Sequence, residues 1–357
     1  MATTKVTTDV IDMSGNTGGL VWAKGTTAQR PAVGVSTIGD LRENTETFRT
    51  EVYNNSGAWR NLKELPVTVA VDFLVVAAGG GSTGNIGGGG GAGGLRTSYT
   101  GSPNAGSGGG TSAETALSLT PGTAYTVAVG PGGAGTPTGT ASNGTASSIT
   151  GSDITDITTV GGGAGGQNNG ALGGSGGGAA RSSSPGAGTT SEGFAGGQTG
   201  GSRVAGTGGG GAGALGGDSV DNNEAGPGGL GLEVNIIGGS GNSYAGGGGG
   251  GGYNAAGGSA TSGGGAGGNN TGATNTGVDG SPNTGGGAGG GQNNANSGKQ
   301  GGSGIVILRC TKATATLGSG ITVNSTAGPG SVNGVAISGT SDYYYSATLG
   351  TGTITFS

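Results

Sequence analysis

The feature that most constrains this chain is a glycine-rich stretch from residue 79 to residue 304. Of the 99 glycines in the chain, seven precede this stretch and eight follow it, which leaves 84 within its 226 residues. An ordinary core is stabilised by burying side-chain methyl groups, at about 25 cal/mol per Å². Runs such as residues 87–94 and 246–252 have almost none to bury. If this stretch folds, another interaction must stabilise it.

Two interpretations fit this composition. One is a disordered linker, because glycine loses more conformational freedom on folding than any other residue. The other is a lattice of polyglycine-II helices, which have three residues per turn and outward-facing backbone N–H and C=O groups that can bond to neighbouring helices. Lone apolar residues at irregular intervals favour the lattice, because a flexible spacer has no use for them. They are Leu95, Leu172, Phe194, Leu215, Leu230, Tyr244 and Tyr253.

The lattice interpretation makes specific demands. Each hydrogen bond between helices contributes a net ~0.5–1.5 kcal/mol, close to the cost of ordering a residue, so the lattice must be cooperative. Interior helices then need Gly or Ala on every face, and outer helices tolerate a larger residue on one face in three. Richer loops join the helices and suit a recognition scaffold. The predicted loops are residues 99–105, 181–194, 220–224, 272–283 and 292–299.

Composition and charge set further limits. With 4% aromatic and 9% charged residues, three small modules fit better than one large domain. The net charge of -5 and the absence of a basic cluster predict no nucleic-acid partner. No window approaches 18 apolar residues, so we expect no membrane insertion. Residues 1–10 lack the basic and apolar regions of a signal peptide.

The usual catalytic motifs are missing. Gly-x-Gly-x-x-Gly occurs often, but only because glycine is abundant, and there is no Walker A sequence. With no histidine and one cysteine, the usual triads and zinc sites are excluded, and Cys310 is predicted to be a buried strand residue. Two carboxylate pairs, Asp153 with Asp156 and Asp218 with Asp221, fit turns better than an acid pair acting on a glycan. We therefore expect no enzyme activity, no cofactor and no metal.

Residues 1–66 are predicted to form a small β-meander. Residues 40–42, 47–53 and 58–62 have the pattern of short strands joined by turn residues. Such a module is small for independent stability, so its aromatic residues would be better buried against another copy. The candidate oligomerisation residues are Phe48, Tyr53 and Trp59.

The same segment carries a motif. It reads Gly-Thr-Thr-Ala-Gln-Arg-Pro at residues 25–31 and Gly-Asp-Leu-Arg-Glu-Asn-Thr-Glu-Thr at residues 39–47, followed by Glu51, Tyr53 and Trp59. This pattern resembles a small module of bacteriophage tail-fibre and other virion-fibre proteins. The resemblance implies a trimerising unit that attaches to other phage tail or virion proteins.

Two apolar strands bracket the glycine-rich stretch. Residues 67–78 lead directly into the first glycine run, and residues 303–310 follow the last one. We expect these strands to pair and to close the lattice, with further strands at residues 124–129 and 148–160. The sheet would supply the side-chain burial that glycine helices lack.

Three motifs in this region carry a second resemblance. They are Leu-Val-Val-Ala-Ala-Gly-Gly-Gly at residues 74–81, Pro-Gly-Thr-Ala-Tyr-Thr-Val-Ala-Val-Gly at residues 121–130 and Gly-Gly-Ser-Gly-Ile-Val-Ile-Leu-Arg at residues 301–309. Residues 67–310 are thus similar to the glycine-rich domain of phage structural proteins. A polyglycine-helix sandwich is also the architecture of adhesins at the tips of some phage tail fibres. The similarity implies host-surface recognition through loops gathered at one end of the lattice.

Residues 311–357 have the pattern of a final small β module, with strand-like pieces separated by glycine turns. These pieces are residues 320–323, 334–337, 343–349 and 351–356. The predicted fold class is therefore mainly β and irregular, with essentially no α-helix. It comprises the meander module (1–66), a polyglycine-II sandwich closed by β-strands (67–310) and this C-terminal module.

Three functions remain open. The favoured one is a phage tail fibre, a homotrimer in the virion, made in the host cytoplasm, that binds a host surface glycan or outer-membrane protein. The alternatives are a structural virion component, such as a capsid fibre or tail decoration protein, and a protein like the glycine-helix antifreeze proteins. The candidate receptor contacts are aromatic and basic residues, namely Tyr99, Arg181, Phe194, Arg203, Tyr244, Tyr253, Tyr343, Tyr344 and Tyr345.

Overall fold

The structure is a computed structural model in which the chain forms two compact units, Met1–Val67 and Thr68–Ser357. The residues it describes are 23–31, 40–47, 49–53, 58–61, 68–101, 106–139, 141–200, 205–219, 224–254, 256–269, 276–293 and 297–357. Within these residues there is no α-helix, and most regular structure is β. The predicted fold class, mainly β and irregular, is confirmed.

The first unit contains a four-stranded sheet. Its elements are β1 (Ala23–Gly25), a 3-10 helix (Thr27–Gln29), β2 (Leu41–Asn44), β3 (Arg49–Tyr53) and β4 (Trp59–Asn61). Strands β2, β3 and β4 form the predicted antiparallel meander, and β1 pairs with β2 in parallel. Tyr53 is buried and its ring centroid lies 5.5 Å from that of Trp59. These two candidate oligomerisation residues thus pack within one chain, and Phe48 lies outside the described residues.

The N-terminal motif residues form a buried polar network in this unit. The Glu51 side chain is fully buried and accepts hydrogen bonds from Asn44 Nδ2 (3.0 Å) and from both Nε and Nη2 of Arg30. Arg42 donates to the Thr26 carbonyl (3.0 Å) and lies 5.7 Å from the Trp59 ring centroid. The hydrogen bond from Arg30 is the largest influence that lowers the pKa of Glu51. The motif therefore stabilises the unit through one shared carboxylate.

The second unit is built on one large sheet. The strands before the C-terminal region are β5 (Val69–Val76), β6 (Leu95–Thr97), β7 (Gly106–Ser107), β8 (Thr111–Ser112), β9 (Leu117–Leu119), β10 (Ala124–Val129), β11 (Ser147–Thr150), β12 (Ile157–Thr159), β13 (Leu232–Glu233), β14 (Ser243–Tyr244) and β15 (Ile305–Cys310), with a 3-10 helix at Gly108–Gly110. The C-terminal strands are β16 (Thr314–Leu317), β17 (Ile321–Val323), β18 (Thr326–Ala327), β19 (Gly330–Asn333), β20 (Val335–Ala336) and β21 (Tyr343–Phe356). The central path of the sheet is β12-β11-β10-β21-β15-β5-β6, and β7–β8 and β13–β14 are separate hairpins.

The strands that bracket the glycine-rich stretch pair as predicted. β5 and β15 are antiparallel, with Leu74 opposite Ile307. β10 has the predicted bounds, whereas the predicted strand at residues 148–160 is two antiparallel strands, β11 and β12. The reason is a turn between them, in which Asp156 accepts the backbone N–H of Gly151 at 3.2 Å.

The C-terminal residues belong to the same sheet as the glycine-rich domain. The first half of β21 pairs with β15 and its second half with β10. Gly350 has φ +84°, a conformation that favours glycine, and lies where the strand passes from one partner to the other. The domain boundary predicted at residue 310 therefore falls within one sheet, and the residues on both sides of it belong to the same unit. The two pieces predicted at residues 343–349 and 351–356 are one strand.

Residues 87–94 show how the glycine-rich segments pair. Gly87, Gly90 and Gly93 donate backbone hydrogen bonds to residues 285–291. The next residue of each triplet, Gly88, Gly91 and Gly94, donates to residues 160–166, and Gly89 and Ala92 donate to residues 207–210. The carbonyls of the segment accept from residues 77–80, 175–178 and 248–251. This three-residue repeat, with every bond made to another segment, is that of a polyglycine-II helix.

The six neighbours of segment 87–94 also bond to one another, each to the next around the ring. The bonds run from Gly162 to Ala78, Gly163 to Ser175, Thr207 to Ala179, Gly206 to Gly251, Gly287 to Gly246 and Ala288 to Gly80, each from N–H to C=O at 2.8–3.0 Å. The packing is therefore hexagonal around a buried central helix. Buried backbone groups must be paired to avoid a desolvation cost, and here the neighbouring segments pair them.

Close backbone approach explains the glycines of the central segment. A Cβ on Gly88 would lie 2.2 Å from the carbonyl oxygen of Gly178, and one on Gly90 would lie 2.1 Å from that of Gly80. Neither residue has a positive φ, so the missing side chain matters here and not conformational freedom. Larger residues occur on outer segments as predicted, and Leu172, Leu215, Leu230 and Val278 are exposed there.

Two apolar clusters lie on opposite faces of the sheet. In β5, Val71, Phe73 and Val75 face a cluster formed by the strands alone. Leu74 and Val76 face a second cluster, which includes Ala92 and Leu95 of the central glycine segment and its continuation. Cys310 is buried in the first cluster, as predicted for a strand residue. The sheet thus supplies the apolar burial that anchors the lattice.

Candidate functional site

The end of the lattice that lies away from the sheet carries a group of loops, here called the loop end. Hydrogen bonds join Gly87 to Gly291 and Gly251, and join Gly88 to Gly166. The loops that follow Gly166, Gly251 and Gly291 therefore lie at the same end of the lattice as the 84–86 turn. Ala180 donates to the Asn168 carbonyl, which brings in one more loop. The described part of the loop end is residues 84–86, 167–169, 181–183, 252–254 and 292–293.

The loop end is rich in amide side chains. Gln167 donates from Nε2 to the Asn85 carbonyl at 3.2 Å, and Ile86 N–H donates to the Gln292 carbonyl at 3.1 Å. The side chains of Asn168 and Asn169 are exposed, whereas Gln292 is 2% exposed and its Oε1 has no hydrogen-bond partner in the described part of the chain. Sequence reasoning singled out aromatic and charged residues and missed these amides. Their signal was their position directly after glycine runs.

Four of the ten non-glycine residues with positive φ in the described part of the chain lie in the same loops. Positive φ values occur at Asn85 (49°), Ile86 (59°), Arg181 (53°) and Ser182 (61°). Ile86 is the most unusual, because a β-branched residue is disfavoured in the left-handed region. Strained residues persist where the surrounding structure fixes them, which often happens at binding sites.

Two of the predicted contact residues lie at the loop end. Arg181 is exposed in the 181–183 loop, and Tyr253 is half-buried beside Asn254. Arg203 lies outside the described residues. The remaining candidates lie at or within the sheet end of the unit, so the structure does not bring the predicted set together.

Three tyrosines meet at the sheet end instead. Tyr244 is buried within the second apolar cluster, and Tyr99 and Tyr344 pack against that cluster. Burial, together with the nearby Tyr344 phenol, raises the pKa of Tyr244 to about 12. Arg309 donates to the Tyr99 hydroxyl at 3.1 Å and lies 5.1 Å from its ring centroid. The environment of these tyrosines is that of a core.

The other aromatic candidates also have packing roles. Tyr345 is 1% exposed, and its hydroxyl donates to the Lys312 carbonyl at 2.7 Å. Tyr343 packs against the first apolar cluster, and the half-buried Phe194 lies beside Gly110. The structure therefore corrects the expectation for Tyr244 and Tyr345, because buried rings cannot contact a receptor.

Two predicted loops contain further lattice segments. Within residues 181–194, Gly186 donates to the Gly177 carbonyl and Thr189 to the Gly174 carbonyl. Within residues 272–283, Val278 donates to the Ala266 carbonyl. These outer segments include non-glycine residues because one of their faces meets solvent. Non-glycine content alone therefore overestimates loop length.

A buried carboxylate lies where the two ends of the central sheet path approach each other. Arg96 of β6 pairs with Glu114 (2.6 Å) and donates to the Thr158 carbonyl of β12 at 3.2 Å. Glu192 is 7% exposed, and its Oε2 accepts the backbone N–H of Val160 at 2.7 Å. Burial raises the pKa of Glu192, and the hydrogen bond from Val160 and then the positive charge of Arg96 partly oppose this shift. The carboxylate thus substitutes for a strand partner at this seam.

We expect Glu192→Gln to keep or raise the stability of the second unit at pH 7, and Glu192→Ala to lower it by about 1–3 kcal/mol. Glutamine retains an oxygen for the Val160 N–H and removes the cost of burying a charge, whereas alanine leaves that N–H unpaired. The raised pKa means that the folded state holds the proton more tightly. Wild-type stability should therefore fall as pH rises from the unfolded value of about 4.5 through the folded pKa, and this fall should be absent in Glu192→Gln.

Urea unfolding at several pH values, followed by tyrosine circular dichroism, checks this prediction. Seven of the eight tyrosines and neither tryptophan lie in the second unit, so the signal reports mainly on it. Equal destabilisation by glutamine and alanine would mean that the charge itself is required.

The described residues contain no group of three or more His, Cys, Asp or Glu side chains that could hold a metal ion. Nor do they contain a helix with the length and apolar character needed to cross a bilayer.

The fold and the loop end define a class of protein, an all-β chain whose polyglycine-II lattice is anchored on a sheet and carries loops at its free end. The family described as a glycine-rich domain matches residues 56–311. This match covers more than half of the chain, and the protein belongs to that family. No curated protein and no solved structure matches it.

Proposed function

We propose that this protein is a phage tail fibre that recognises a host surface glycan or outer-membrane protein through its loop end. The observation that carries the proposal is the gathering of amide-rich, strained loops at the free end of a rigid lattice. Amide side chains offer both donors and acceptors. Loops rich in Asn, Ser and Gly form adaptable hydrogen-bonding surfaces on rigid scaffolds, as in antibody binding loops.

The lattice suits this role for a physical reason. Its stability comes from backbone hydrogen bonds between glycine segments, which do not depend on the loop side chains. Loop sequences can therefore change without loss of the scaffold. The two resemblances to phage fibre proteins supply the biological setting.

The first unit is proposed as the attachment and trimerisation module. Its motif resembles that of virion-fibre modules, and it is small for a monomeric domain. Light scattering of the purified chain tests the trimer. In this proposal the fibre lies in the virion, is made in the host cytoplasm, and binds other tail proteins through this unit.

The purified protein is expected to block adsorption of the phage that carries it. Arg181→Glu should weaken this blocking by at least about tenfold, the loss expected for one interface contact worth about 1.4 kcal/mol. The matched control is Lys312→Glu, the same charge reversal near the C-terminal residue Ser357, which should block as the wild type does. If the folded trimer fails to block, the structural virion role becomes the better account.

A further inference from the structure

A groove of about 620 Å³ lies where one edge of the lattice meets the bend of β21. Its walls include Pro131, Pro282 and Leu349, and Leu349 is 68% exposed. Its floor includes Gly301 and Gly302, which are buried. The groove therefore has apolar sides and a floor made of backbone.

Three lattice segments border this groove side by side. Gly301 donates to the Gly133 carbonyl, and Gly280 donates to the Gln300 carbonyl, both at 2.9 Å. Segment 298–304 thus lies between segments 130–136 and 277–281, with the groove over it. In the interior of the lattice, the position beside such segments is filled by another segment.

Backbone groups on this side of the three segments lack partners. Among the described residues, no hydrogen bond is made by the N–H or C=O of Gly132, the C=O of Gly301 or the N–H of Ser303. In the interior of the lattice, as around segment 87–94, the corresponding groups bond to a neighbouring segment. The groove is therefore an unfilled lattice position with donors and acceptors in place.

We propose that this groove binds an extended glycine-rich segment of another chain, which adds one more polyglycine-II helix to the edge of the lattice. The backbone floor leaves no room for a side chain, so residues that face it must be glycine. The apolar walls can cover a larger residue at every third position. Main-chain hydrogen bonds would supply affinity, as when a peptide adds a strand to a sheet edge.

The chemistry of the groove favours a peptide over a sugar. Its lining residues include no aromatic side chain on which a sugar ring could stack. The one carboxylate in the lining, that of Asp279, already accepts the backbone N–H of Gln300 at 2.8 Å. A ligand can then use the unpaired backbone N–H and C=O groups, together with the side chains of Gln300, Thr348 and Thr351.

The test uses the full chain and a soluble peptide that copies segment 285–291, Gly-Gly-Gly-Ala-Gly-Gly-Gly, flanked by lysines. Binding is measured by fluorescence anisotropy up to about 1 mM peptide. The matched peptide carries sarcosine at every third position, which removes a backbone N–H without adding a Cβ. Two further peptides carry the sarcosines shifted by one and by two residues. The peptide that binds most weakly identifies the backbone N–H groups that face the floor of the groove.

Leu349→Trp should fill the groove and weaken peptide binding by at least about tenfold. The control, Leu172→Trp, alters an equally exposed leucine on another outer segment (69% exposed) and should leave binding unchanged. Sarcosine in one register should weaken binding by a similar factor. The proposal is overturned if the peptide does not bind, if Leu349→Trp has no effect, or if only a sugar competes for the groove. Blocking of phage adsorption should survive Leu349→Trp, which separates this proposal from receptor binding.

Discussion

Replacing Gly90 with alanine is expected to lower the unfolding temperature of the second unit by about 10 °C or more, or to prevent its folding. A Cβ at this position lies 2.1 Å from the carbonyl oxygen of Gly80, which belongs to a fixed neighbouring segment. Relief requires separating two segments of the hexagonal core, which breaks hydrogen bonds on both. A cost above about 4 kcal/mol, near the upper end for single substitutions, corresponds to this shift in a unit of this size.

Scanning calorimetry of the full chain checks this result, with Gly139→Ala as the matched control. Gly139 has φ +85° and no atom near the position of a Cβ, so alanine there adds only conformational strain. That strain costs about 1 kcal/mol, and the shift should be at most a few degrees. If Gly90→Ala melts within those same few degrees of wild type, close backbone contact is not what selects glycine in the lattice.

Replacing Glu51 with glutamine is expected to unfold most of the first unit at neutral pH. The Glu51 side chain is fully buried, and Arg42, whose side chain is 4% exposed, has its nearest carboxylate there at 3.9 Å. Removing one partner of a buried ion pair costs about 3–5 kcal/mol, because the remaining charge is left uncompensated. A unit of this size has little more stability than that to lose.

Tryptophan fluorescence in urea measures this effect in the full chain. Both tryptophans, Trp22 and Trp59, belong to the first unit, so the signal is independent of the lattice. The control is Glu43→Gln, which removes the exposed pair with Lys24 and should cost less than about 1 kcal/mol. Equal small effects from the two substitutions would refute the role of the buried network.

The same network predicts a pH dependence of opposite sign to that of Glu192. The pKa of Glu51 is lowered by folding, so its contribution is present above the unfolded value of about 4.5. It is lost as pH falls through the lowered pKa. The first unit should therefore weaken in acid, and tryptophan fluorescence of the wild-type chain in urea at several pH values measures this loss.

The sequence by itself determined the character of each region. Glycine runs interrupted by lone apolar residues predicted a backbone-packed lattice over a linker, since only chains without Cβ atoms can approach within hydrogen-bonding distance on every face. The apolar strands on either side of the glycine-rich stretch predicted the pairing of β5 with β15. Both strands border the same lattice, and each needs a strand to pair with. The residue pattern and the composition of a segment are local properties, so both can be read directly from the amino-acid sequence.

Only the tertiary structure decided which segments are neighbours. Every glycine run offers the same donors and acceptors, so nothing in residues 87–94 specifies six particular partners. The positions of the candidate site residues were also decided by the tertiary structure. Tyr244 and Tyr253 occur in similar sequence surroundings, yet Tyr244 is buried at the sheet end and Tyr253 lies at the loop end. The chain reverses direction from one lattice segment to the next. Whether a residue lies at the sheet end or the loop end therefore depends on how many reversals precede it. That count depends on the long-range hydrogen bonds of the whole lattice.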